Sequence, residues 1–155
     1  MNLRKMRASL AIAIAAGGRN LVAAVNAVTN VGTHEGGLFT ATASGAVTEK
    51  KLVKLSSAGI VAANDGVPCG VAASDAADGQ EVGVRALGGA GRTLKAIASA
   101  AVSPGAIVIA DSEKVKTLPV AGGTYYIVGQ ALTEATADGD EIELAPCSPV
   151  KIVVT

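Results

Sequence analysis

Beyond residue 37 the apolar residues alternate with polar ones or come in short runs, and clusters of Gly, Asp, Asn, Ser and Pro separate them. This is the pattern of β-strands, not of helices, whose apolar positions recur every three or four residues. It predicts strands at Leu38–Ala43, Lys51–Leu55, Cys69–Ala73, Glu81–Ala86, Arg92–Ile97, Ala106–Ala110, Thr124–Ala131, Glu141–Ala145 and Val150–Val154. Turn signals lie between them, among them Asn64-Asp65-Gly66, Asp78-Gly79, Gly88-Gly89, Pro104-Gly105 and Asp138-Gly139. Short strands punctuated in this way predict a mainly β fold, a small barrel or sandwich.

The first thirty residues follow another rule. Leu3, Met6, Leu10 and Ile14 step by three or four and would share one helical face. Ala8 to Ala16 is rich in the best helix former, and Gly17-Gly18 would end or hinge such a helix. Arg4, Lys5 and Arg7 make this end basic. Two readings stand. One is a retained arm, helical or extended. The other is a cleaved secretory signal: basic start, apolar stretch, small residues. The second would make the chain a secreted or surface-attached β-rich module, and a loss of about 16 to 20 residues from the intact mass would reveal it. "NVGTHEGG", Asn30 to Gly37, is the turn-rich connector that follows.

The β region is written twice. "SGAVTEKKLVKLSSAGIV" from Ser44 matches "SAAVSPGAIVIADSEKVK" from Ser99 at an offset of 55, with Leu52 and Val53 over Ile107 and Val108, and Ile60 over Val115. The offset grows to 59 at Gly70/Gly129 and to 60 at Asp78-Gly79/Asp138-Gly139. The second copy therefore holds a longer connector, Thr117 to Val128, with both tyrosines in it. The predicted organisation is an arm (1–30), a first β unit (31–98) and a second (99–155) that shares one core with the first. Each unit alone is too small to bury much.

Composition sharpens this picture. Half of the 155 residues are apolar, yet only Phe39, Tyr125 and Tyr126 are aromatic. A core of small side chains leaves apolar surface over, and such surface marks partner contacts. No apolar run reaches the roughly 18 to 20 residues of a membrane span. Thirteen basic residues balance thirteen acids, which argues against nucleic-acid binding. Cys69 and Cys147 allow one disulfide; without any CxxC they read better as two reduced thiols filling apolar space.

Candidate chemistry is sparse. His34, the sole histidine, has no HExxH around it and no second histidine to share a metal. "RALGGAGRTLK", Arg85 to Lys95, has Ala86 and Arg92 where a phosphate loop needs Gly and Lys, and reads as a glycine-rich hairpin. The acids Asp75/Asp78 and Asp140/Glu141 sit in turns, where Asp-Gly supplies the backbone that a tight reversal needs. "TADGDEIEL" lacks the ligand spacing of a calcium loop. The chain reads as a non-enzyme, with no catalytic set, cofactor site or metal site.

Three stretches carry a family likeness: "GVPCGVAASDAADGQEVGVRALG" (Gly66 to Gly88), "SPGAIVIADSEKVKT" (Ser103 to Thr117) and "IVGQALTEATADGDEIEL" (Ile127 to Leu144). Together they resemble the bacteriophage capsid cement or head-decoration proteins, over roughly residues 36 to 145. The resemblance implies a β-rich virion protein, made in the host cytoplasm, that binds the outer surface of the phage head. It implies the major capsid protein as partner and a homotrimer that locks neighbouring capsid subunits together. It brings no catalytic residue. The first thirty residues depart from the family pattern. On this reading they form the docking arm: Arg4, Lys5 and Arg7 meet capsid carboxylates, and Leu3, Met6, Leu10 and Ile14 fill a groove.

Overall fold

A computed structural model describes residues 37–56, 61–88 and 91–155. The described residues form β1 (Leu38–Thr42), β2 (Leu52–Leu55), β3 (Val61–Ala63), β4 (Gly70–Ala72), β5 (Glu81–Ala86), β6 (Leu94–Ile97), β7 (Ile107–Asp111), β8 (Lys114–Thr117), β9 (Gly123–Ala131) and β10 (Glu141–Val154). The fold is mainly β: two five-stranded antiparallel sheets, ordered β1-β5-β4-β2-β3 and β6-β10-β9-β7-β8. Period-two patterning explains the faces. Val82 and Val84 of β5 are buried while the alternate residues Glu81, Gly83 and Arg85 are not, and β6 buries Leu94 and Ala96 around an exposed Lys95.

The second sheet repeats the first element for element. β1–β5 pairs Thr42 with Glu81, and β6–β10 pairs Ile97 with Glu141. β2–β4 pairs Val53 with Gly70, and β7–β9 pairs Val108 with Gly129. The bridges outside the strands match as well: Ala43↔Val61 and Ala98↔Val115 are parallel, Val47↔Ala76 and Val102↔Ala135 antiparallel. The parallel bridges bring the two outer edges of each sheet together at one point. A single bridge is not a ladder, so neither sheet closes into a barrel, and the arrangement is sandwich-like.

Several sequence expectations change in detail. Val61, not Ile60, stands over Val115; Ile60 itself lies outside the described residues. β3 and β8 are additional strands, each hydrogen-bonded to the strand before it. Glu141–Ala145 and Val150–Val154 are one strand, β10, with a register shift between Pro146 and Val150. Both tyrosines lie on β9, as the strand expected at Thr124–Ala131 has it, so the later half of the longer connector, Thr117 to Val128, is strand. Arg85 to Lys95 is not a hairpin. β5 already has β1 on one side and β4 on the other, so β6 finds no free edge there and pairs with β10 in the second sheet. Leu94–Ile97 thus precedes the division drawn at 98/99 yet belongs to the second sheet.

Buried residues form two clusters. One holds Ala41, Ala43, Val47, Val53, Val61, Ala72, Ala76, Val82 and Val84, all from the first repeat. The other holds Ala98, Val102, Val108, Val115, Val128, Ile142 and Leu144 of the second repeat, together with Leu52, Val71 and Leu87 of the first. Backbone bonds accompany that contact: Leu52 N donates to Glu113 O at 2.7 Å and Ile97 N to Lys50 O at 3.1 Å. The Asn64 side-chain amide donates to Ser112 O at 2.6 Å.

Candidate partner-binding surface

The arm residues Leu3, Arg4, Lys5, Met6, Arg7, Leu10 and Ile14 lie outside the described residues, as does His34. The acidic turns lie inside them and are occupied by the fold. Asp78 Oδ1 accepts from Gly45 N at 2.7 Å, and Asp75 Oδ1 from Glu49 N at 2.8 Å. In the second repeat Asp140 Oδ2 accepts from Thr136 N and Oγ1, both 2.8 Å, and from Ala137 N at 2.9 Å. Gln80, at the same place in the first repeat, accepts from Ala77 N at 3.2 Å. The Thr136 hydroxyl and backbone hold the Asp140 carboxyl below its ordinary range. Gly79 and Gly139 have φ of +76° and +92°, the left-handed turn backbone that Asp-Gly announces.

Lysines pair with several of the other acids. Glu141 lies 2.6 Å from Lys50 and 2.5 Å from Lys95, and these bonds lower its pKa. Asp111 takes Lys116 at 2.8 Å and the Ser99 hydroxyl at 2.6 Å, which lower its pKa in turn. An open cleft of about 440 Å³ runs past Lys51, Ser99, Asp111, Glu113, Lys114 and Asp138. Its ionic groups are internally paired: Lys51 with Glu113 at 2.9 Å, Lys114 with Asp138 at 2.6 Å, and Asp111 with Lys116. Such a cleft presents no uncompensated charge to a ligand. Among the described residues, no group of three or more His, Cys, Asp or Glu could hold a metal ion. Cys69 and Cys147 are free thiols, and burial pushes Cys69 up to about 11.

The surface is more informative where it is apolar. Leu38, Leu55 and Val67 are exposed on the first repeat, and Ile107, Val120, Leu132, Val150 and Val153 on the second. The second repeat also carries an extension that the first lacks. Beyond the register shift, β9 and β10 continue as a two-stranded ribbon: Ile127↔Val150, Tyr126↔Lys151, Tyr125↔Ile152, Thr124↔Val153 and Gly123↔Val154. None of these ten residues is buried. Both tyrosines stand here, and the Tyr125 hydroxyl donates to Ala121 O at 3.1 Å. This surface was missed in the sequence, although the longer second copy with its Tyr-Tyr pair was the signal for it.

Comparison with known proteins gives the context. The family model for the phage cement protein matches residues 31–146, a span that includes strands of both sheets. No curated protein matches. Among solved structures, the head fiber gp8.5 N base of bacteriophage phi29 superposes with a TM-score of 0.53 at 22% identity, covering 73% of this chain and 96% of that one. At that identity the likeness is one of fold.

Proposed function

Because this chain belongs to the phage cement protein family, we propose that it is a structural protein of the phage head that binds the outer capsid surface and stabilises the shell. The family match across residues 31–146 is the observation that carries this reading. The fold suits it. Two repeated sheets provide rigid β structure, and the acids and lysines of the turns are engaged with one another or with backbone. The partner is the major capsid protein, and the chain works as a homotrimer without catalytic activity. Residues 1–30 serve as the docking arm. Arg4, Lys5 and Arg7 face capsid carboxylates, and Leu3, Met6, Leu10 and Ile14 supply the apolar side of the contact.

The test is co-sedimentation with undecorated heads. The full chain is expected to pellet with the heads and saturate, and a chain lacking residues 2–19 to remain in the supernatant. Unchanged binding by the shortened chain would remove the arm from the account. Failure of the full chain to bind would remove the cement role itself. A second reading has one observation in its favour, the fold shared with a head fiber base. Copy number per particle separates the two, since cement covers the shell in many copies.

A further inference from the structure

We infer that the face of the second sheet around Ile107, continued by the Gly123–Ile127/Val150–Val154 ribbon, is a docking site for another copy of this chain. The inference rests on the self-association part of the reading above and does not require the capsid.

The internal repeat identifies the occupant. Leu52 and Ile107 hold equivalent positions, each one residue before the valine that faces Gly70 or Gly129. Leu52 is 1% exposed, because the second repeat covers it. Ile107 is 47% exposed. The neighbouring positions agree: Val71 is buried in the contact between repeats, while its counterpart Gln130 is exposed. One face of this β unit is therefore seen packed against a second such unit. The same face of the other unit stands open. A neighbouring chain carries the same kind of unit and continues the contact that already exists within one chain. Head-to-tail contacts of this kind close into rings when the rotation per step allows it.

The ribbon adds an independent reason for a cover. Among the described residues, 123–126 of β9 and 151–154 of β10 pair only with each other, so over that length both outer edges of the ribbon lack a neighbouring strand. A lone two-stranded ribbon is marginal in water, and unpaired apolar edges invite further strands. Lys151 is its only charge, and Tyr125, Tyr126, Ile127, Val150, Ile152 and Val153 give it apolar area. A neutral, apolar partner surface fits it.

The experiment is sedimentation equilibrium of the full chain across a concentration series, with circular dichroism to establish folding. The double variant Ile107→Glu/Val153→Glu alters two exposed side chains, where substitutions are ordinarily well tolerated by the fold. Val67→Glu is the control, an exposed position on the first repeat. Wild type and Val67→Glu are expected to associate, and the double variant to need at least about tenfold more protein to do so. A folded double variant that associates like the wild type overturns the surface but leaves self-association intact. A wild type that stays a single chain at every concentration overturns both. Should the double variant unfold, Val153→Ser alone is measured, and unchanged association by that folded variant overturns the assignment of the ribbon.

Discussion

A Cβ added at Gly70 would lie 2.6 Å from the Arg85 carbonyl oxygen, and one at Gly129 would lie 2.3 Å from that of Ala145. Neither obstacle is the tip of a flexible side chain. Gly70→Ala and Gly129→Ala should therefore each cost about 1–3 kcal/mol, read from the denaturant midpoint. Protonation is the second lever at this scale. The carboxyls of Asp111, Asp140 and Glu141 are all held below their unfolded values, by the Lys116, Thr136 and Lys50 contacts respectively. A lowered carboxylate contributes stability that is fully present above its unfolded pKa, about 4, and is lost as pH falls through the folded value. Thermal midpoints should thus stay level from neutral pH down to about pH 5 and drop below about pH 4. Asp140→Asn should make that acid drop shallower; an identical pH profile would contradict the role given to the Thr136–Asp140 contacts. Thiol chemistry gives a third check. With Cys69 pushed up to about 11, its alkylation at pH 8 should be much slower than that of a free thiol.

Between residues and the whole chain, the repeat makes a paired prediction. Leu52→Ala should cost about 2–5 kcal/mol because the second repeat packs over it. Ile107→Ala, at the equivalent strand position, should cost less than about 0.5 kcal/mol in a single chain, measured by denaturation at low concentration. Much of this level was legible. Gly70 and Gly129 fall at an offset of 59 in the sequence and occupy the same crowded pairing in the two sheets. Other parts were hidden for definite reasons. Lys114–Thr117 alternates, but its charges make it look like a polar connector; what makes it a strand is the ladder to β7. Pro146 and Pro149 break the apolar pattern of β10, and the break in structure is only a shift of register, a place where proline is tolerated. The glycines after Leu87 do mark a reversal of pattern, but no local signal tells that β5 has both edges filled. Pairing partners are set by tertiary competition, and that is why the hairpin expectation failed while the strand at Glu81–Ala86 agreed to the residue.

For the whole molecule, the doubling matters more than any single side chain. Sequence alone supplied the β class, the repeat and the family likeness, because small residues, Asp-Gly turns and fixed offsets are written locally. It did not supply the open face near Ile107 or the apolar ribbon, since exposure depends on what the other repeat covers. The resulting account is of a chain whose chemistry is contact: one repeat has its Leu52 face covered inside the molecule, the other presents the equivalent face open, and the arm is proposed to meet the shell. The most direct test is a reconstruction of the phage head that carries this protein. The account predicts density for the two-sheet fold at regularly repeated positions on the outer shell, in many copies, each bridging neighbouring capsid subunits. Density confined to one or a few positions, or none on the outer surface, would contradict it.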